Sequence, residues 1–160
     1  MGHSKRASHG SFKMKAKYSI YLVGGAPRCG KSSFARYLMK EKQISYTSTD
    51  IVRCLLESRI PESGINGSDG WEIKPKKFYP YLRDLIYLYD DLKLDHCLEG
   101  EVVSPESVRR LGNDFNIRAC FFGCTSLKPF ELRKRAGSND WISTLTDSEI
   151  IEEAKLISSQ

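Results

Sequence analysis

The sequence predicts an α/β domain: a parallel sheet of four strands flanked by helices, in three layers. Three observations carry that expectation. Short apolar runs alternate with stretches of helical periodicity, 160 residues suit one compact domain, and a glycine-rich turn stands between the first apolar run and the first helix. Parallel neighbours need crossover connections, which are normally helical.

Residues 18–24, YSIYLVG, form a short β-branched, aromatic and aliphatic run that ends in glycine, as expected of a strand buried on both faces. Residues 30–43 place Phe34, Ala35, Leu38 and Met39 at helical spacing and close with Lys40, Glu41 and Lys42. ISYT, residues 44–47, reads as a second strand. Ser48, Thr49 and Asp50, all N-cap types, precede an amphipathic helix over 51–59. Pro61, Gly64, Gly67 and Gly70 stand among polar residues in 60–74, a composition that buries little and predicts a mobile loop. Phe78, Leu82, Leu85, Ile86 and Tyr89 give the helix over 75–92 one apolar face, while Lys76, Lys77, Asp90 and Asp91 oppose its dipole, so packing must hold it. HCLEGEVV, residues 96–103, is the third strand, and Ser104-Pro105-Glu106 starts a short helix to Leu111. IRACFFGC, residues 117–124, is the fourth strand. A basic segment, LKPFELRKRAG, follows, and Thr146-Asp-Ser-Glu149 forms a capping box for a last helix.

Composition excludes several classes. Hydrophobic residues make up 40% and no apolar run approaches the ~18 residues of a membrane span. The net charge of +5 comes from Lys5, Arg6, Lys13, Lys15 and Lys17, because the remaining 20 Lys and Arg balance 20 Asp and Glu. The folded part is therefore electrically neutral, which argues against a nucleic-acid surface. Residues 1–17 read as a disordered basic tail or an artificially added extension, and residues 18–160 as the domain. Five cysteines without paired zinc-ribbon spacing suit a reduced, cytoplasmic setting. Cys54, Cys97, Cys120 and Cys124 read as small apolar core residues, whereas Cys29 stands apart because of its neighbours. His3, His9 and His96 show no metal-ligand spacing.

Gly25-Ala26-Pro27-Arg28-Cys29-Gly30-Lys31-Ser32 fits G-x-x-x-x-G-K-[ST] in full, between a predicted strand and a predicted helix. Glycines let successive N–H groups point inward at phosphate oxygens, and the first helical turn, through Ser33, adds unpaired donors and a positive dipole end. Lys31 supplies a movable positive charge to the terminal phosphates. Ser32 offers a hydroxyl to Mg²⁺. Arg28, at a variable position of the loop, also suits solvent.

This segment and its setting resemble the P-loop kinases of the adenylate kinase type, over roughly residues 18–158. STDIVR, residues 48–53, looks like the stretch after the second strand of that group, where an acid and an arginine face the phosphate acceptor. The resemblance gives those roles to Asp50 and Arg53. Glu99-Gly100 stands where these kinases carry an acidic-Gly pair, so Glu99 resembles the Walker B carboxylate, usually Asp, that holds metal through water. Leu132-Arg133-Lys134-Arg135 lies where the family has a lid, here about 125–141, whose arginines close over phosphates. The family adds a fifth strand and an adenine-holding loop after the last helix, and this sequence stops at Gln160 without them. The Glu-Gly pair and Asn139-Asp140-Trp141 also look like those of small kinase-like proteins without a settled substrate.

Each residue also has a plainer role. Asp50 suits the N-cap of the following helix, Glu99 an edge-facing structural position, and Arg53 an i,i+4 ion pair with Glu57. Lys128, Arg133, Lys134 and Arg135 suit a solvated helix face. Trp71, Tyr79 and Tyr81 are assigned no function. The resulting expectation is a P-loop phosphotransferase that uses ATP and Mg²⁺. Lys31, Asp50, Arg133 and Arg135 would act at the transfer, with Asp50 and Arg53 on a small-molecule or nucleotide acceptor taken up near 60–74. A GTPase is disfavoured, because N-K-x-D and D-x-x-G sequences are absent. The rivals are a non-catalytic nucleotide-binding module and a kinase for polynucleotide 5′ ends, which needs a basic channel.

Overall fold

The computed structural model describes residues 18–136 and 141–159. The expected tail (residues 1–17), residues 137–140 of the expected lid, and Asn139 and Asp140 lie outside them. Four strands form one all-parallel sheet: β1 (Ile20–Gly25), β2 (Ser45–Ser48), β3 (His96–Glu99) and β4 (Ile117–Phe122), in the order β2-β3-β1-β4. The helices are α1 (Lys31–Lys42), α2 (Thr49–Arg59), α3 (Lys74–Asp91), α4 (Pro105–Leu111), α5 (Pro129–Arg135) and α6 (Asp147–Ser158). Short 3-10 turns lie at Pro61–Ser63 and Trp141–Thr144.

β1 is central and pairs with β3 from Ile20↔His96 to Val23↔Glu99 and with β4 from Ile20↔Ile117 to Gly25↔Phe122. Strand alternation sends its side chains to two cores. Ile20 and Leu22 pack with Leu56, Phe78, Leu82, Ile86 and Leu98 on the face covered by α2, α3 and α4. Val23 packs with Ala35, Leu38, Ile44 and Cys97 on the face covered by α1. A third cluster, Ala26, Leu127, Leu132, Ile142, Ile150, Ala154 and Ile157, joins α5 and α6 beneath the glycine-rich turn. β2 and β4 are the edges, and Arg118, Ala119 and Phe121 leave β4 largely exposed.

Several expectations change. β3 stops at Glu99 rather than Val103, because Gly100 turns the chain, with φ +155 and its N–H donating to Val23 O at 3.0 Å. Val102 and Val103 reach the core from that turn, not from a strand. The 60–74 segment is anchored: Ile65 is buried in the main core, Gly67 N–H donates to Glu57 Oε1 at 2.7 Å, and Lys77 bonds Asp69 at 2.8 Å. Ser48, not Asp50, precedes α2, so Asp50 sits inside the first turn and its side chain is free for other work. Met39 is 48% exposed, off the buried face of α1. Cys54 is exposed on α2 and is no core residue. In α3, Phe78, Leu82 and Ile86 are fully buried, which supplies the packing that the misplaced charges require. Pro80 falls on its exposed side, where a missing N–H is least costly. No helix among the described residues is long and apolar enough to cross a membrane.

Candidate functional site

The glycine-rich turn leaves the C-terminal end of the central strand, where ligands of open parallel sheets bind. Gly25 has φ +117, and a Cβ there would overlap the Phe122 carbonyl oxygen, so only glycine starts the turn. Ala26 is buried and its N–H donates to Phe122 O at 3.0 Å, which ties the turn to β4. Pro27, Arg28 (φ 61) and Cys29 follow half-buried, and Gly30, exposed, precedes α1 and accepts from Phe34 N–H at 3.0 Å. α1 has no side-chain cap and no acid in its first turn. Its leading N–H groups thus keep their donors, and the positive helix end, for an anion.

Lys31 is only 6% exposed and its Nζ donates to Ala26 O at 2.7 Å, curling over the turn from inside. Burial pulls its pKa below the ordinary lysine value, against the pull of Asp50, Glu99 and Glu101. Ser32 Oγ sits 3.2 Å from both carboxylate oxygens of Glu99, which is 3% exposed at the end of β3. Ser33 is turned away, accepting from Arg36 at 3.4 Å.

The Gly100 turn brings a second set of groups to this point. Thr49 Oγ1 donates to Glu99 O at 3.0 Å, and Asp50 Oδ1 accepts from Glu101 N–H at 3.2 Å. A Cβ on Gly100 would overlap Thr49 Oγ1, so α2 and β3 approach this closely only at glycine. Burial and then the Glu101 charge hold Asp50 above the usual carboxylate range, opposed by Lys31 and the Glu101 N–H. Glu101 itself bonds Lys74 Nζ at 3.0 Å and lies 3.7 Å from Arg53 Nε. Arg53 makes the expected pair with Glu57 at 2.9 Å, yet its side chain is only 14% exposed and its Nε is buried without a hydrogen-bond acceptor. The pair is therefore no surface ornament, since the guanidinium is held in a buried setting between Glu57 and Glu101. Glu101 and Lys74 escaped the sequence reading; their only signal is adjacency to Glu99-Gly100 and to the start of α3.

A cavity of about 660 Å³ opens beside the turn, bounded by Gly25, Ala26, Glu101, Trp71, Tyr79 and Arg110. The Arg110 guanidinium lies 3.8 Å from the Tyr79 ring centroid. Trp71 and Tyr79 thus line a cavity although sequence gave them no role, whereas Tyr81, partly buried, packs tilted against Phe78 of the core.

The basic segment divides. Arg135 Nη1 donates to Arg28 O at 3.2 Å and so meets the turn. Arg133 turns to the start of α6, bonding Asp147 at 2.8 Å and Leu145 O at 3.4 Å, and is not brought to the turn. Lys128 and Lys134 are exposed.

The donor set fits Mg²⁺ of the kind that keeps water and phosphate ligands. Ser32 Oγ and the Glu99 carboxylate are hard oxygens converging beside the turn, and no group of three or more His, Cys, Asp or Glu forms a protein cage among the described residues.

No protein-family model and no curated protein matches the chain. Solved structures do. A gluconokinase from Sinorhizobium meliloti 1021 is similar with a TM-score of 0.53 and 15% identity, over 91% of this chain and 94% of that one. A chain of the Pnkp1/Rnl/Hen1 complex is similar with a TM-score of 0.50 and 16% identity, over 81% of this chain; the match spans 43% of that longer chain. The α/β fold, with a parallel sheet flanked by helices, is thus one that this chain shares with a kinase of known structure.

Proposed function

We propose that this protein is an ATP-dependent phosphotransferase that moves a γ-phosphoryl group to a small-molecule or nucleotide acceptor. The observation that carries the reading is the convergence of Lys31, the Ser32–Glu99 pair and Asp50 on one turn beside a cavity. Phosphoryl transfer asks little covalent chemistry of a protein, and much positioning and charge stabilisation.

The N–H groups of residues 28–33, through the start of α1, receive the phosphates, and Lys31 exchanges the Ala26 carbonyl for a phosphate oxygen. Mg²⁺, when bound, offsets phosphate charge, and Ser32 with Glu99 through water are the residues that fit it. Asp50 faces the acceptor. Its raised proton affinity suits a group that takes the proton of an attacking hydroxyl, and the Glu101 N–H fixes the carboxylate for that task. Arg53, with one nitrogen lacking an acceptor, orients an acceptor anion. Arg135 closes on the turn from α5, and Arg133 follows only if α5 leaves α6.

The test is ADP release from Mg-ATP across nucleoside monophosphates, sugars, sugar acids, aminoglycoside and phenicol alcohols, and a 5′-hydroxyl oligonucleotide, with Lys31→Ala as blank. One class is expected to raise ADP release at least about tenfold above that blank, and Asp50→Ala to lower it by about 10²–10⁴-fold. Tight Mg-ATP binding with no acceleration by any class, and no effect of Asp50→Ala, makes the protein a nucleotide-binding module instead.

A further inference from the structure

Two thiols meet at the glycine-rich turn. Cys29 lies inside it, between Arg28 in the left-handed region and Gly30. Cys124 lies two residues beyond β4. The β1–β4 pairing runs to Gly25↔Phe122 and continues in the Ala26–Phe122 hydrogen bond, so the segments carrying the two cysteines start from one point. Both side chains pack, half-buried, on the Ala26, Leu127 and Leu132 cluster, and Cys124 lies near enough to Cys29 to push its thiol up.

We propose that Cys29 and Cys124 are a redox modification site: a peroxide converts them to a disulfide that pulls the turn onto the end of β4 and closes it to nucleotide. Bonding distance is ~2.05 Å between sulfurs, so the pair must draw together from their places on the shared cluster. Cys124 can follow, since it lies outside regular structure after Gly123, where a side chain would meet nothing. The other cysteines are not so placed. Cys97 and Cys120 lie on strands separated by β1, and Cys54 is exposed on α2.

In the first step the Cys29 sulfur, as thiolate, attacks one peroxide oxygen; the O–O bond breaks and hydroxide leaves, taking up the thiol's proton as water. In the second, the Cys124 sulfur attacks the resulting sulfenic sulfur; the S–O bond breaks and its hydroxyl leaves with the Cys124 proton, again as water. Two sulfurs lose one electron each and the peroxide gains both. Lys31 and Arg135 favour the Cys29 thiolate, but burial and the neighbouring thiol outweigh them and push the group up, so the first step is slow and the second, between neighbours on one cluster, is fast. A thiol reductant reverses the bond.

The loss of nucleotide binding rests on the phosphate-binding reading above; the disulfide does not. The reduced full chain is treated with hydrogen peroxide, free thiols are alkylated, and intact mass, peptide map and Mg-ATP affinity are measured. The expected result is a protein carrying two fewer alkyl groups than the reduced control, a Cys29–Cys124 cross-linked peptide, and nucleotide affinity weakened at least about tenfold and restored by dithiothreitol. Cys124→Ser should bind nucleotide like wild type and keep that affinity after peroxide. Absence of the cross-linked peptide overturns the proposal, as does undiminished nucleotide affinity in fully cross-linked protein. A cross-linked peptide in a protein that binds no nucleotide even when reduced upholds the redox site and refutes the phosphate-binding reading instead.

Discussion

Asp50 shows how a single side chain can be held for chemistry at the expense of stability. It is enclosed between Lys31, Glu99 and Glu101, and both burial and the Glu101 charge raise its pKa from 3.8. The folded protein therefore binds this proton more tightly than the unfolded chain does. The resulting penalty is absent below pH 3.8, grows as pH rises through the folded pKa and is complete above it. Asp50→Asn removes the charge while an amide oxygen still accepts from Glu101 N–H. The variant should melt a few degrees above wild type at pH 7, with the gap closing toward pH 3.8, and should lose about 10²–10⁴-fold in phosphotransfer. Calorimetry across pH and ADP release at pH 7 check it; a variant that melts lower at pH 7 overturns the electrostatic account.

Elements deliver such residues, and their ends matter more than their middles. Lys31 and Ser32 were legible because the sequence pattern names both the turn and the helix that follows. Glu101 was not, because EGEVV after HCL reads as continued strand, and only the backbone shows that Gly100 ends β3 and aims the next N–H at Asp50. Asp50 was misplaced for a similar reason: Ser48, Thr49 and Asp50 are all competent N-caps, and only the backbone puts Ser48 in that place, which leaves Thr49 to bond Glu99 O and Asp50 to accept from Glu101 N–H. Likewise 60–74 is polar in composition, yet one buried side chain, Ile65, and one carboxylate, Glu57, fix it. The junction of β3 and α2 yields a direct prediction. Gly100→Ala places a methyl group onto Thr49 Oγ1 and close to Asp50 Oδ1. Urea unfolding should show a loss of about 1–3 kcal/mol, and the displaced Asp50 should lower turnover more than nucleotide affinity. An unchanged urea midpoint would refute the close approach.

At the scale of the whole molecule, charge and architecture separate. Among the described residues, all three apolar clusters are built from residues after Tyr18. The leading stretch, residues 1–17, carries the entire excess of five positive charges. Association with a polynucleotide releases counterions in proportion to the phosphates neutralised, with a log–log salt slope of about −0.7 per contact on single strands. If the tail supplies those contacts, the full chain can reach a slope of roughly −3.5 at most, and residues 18–160 should show a slope near zero. Fluorescence anisotropy with a labelled single-stranded oligonucleotide, titrated with salt for both forms, separates the cases. Equal Mg-ATP affinity of the two forms is also expected, because the turn and its partners among the described residues lie beyond the tail. A steep slope retained by residues 18–160 would mean that a basic channel exists within the neutral domain, and would favour a polynucleotide acceptor over a small molecule.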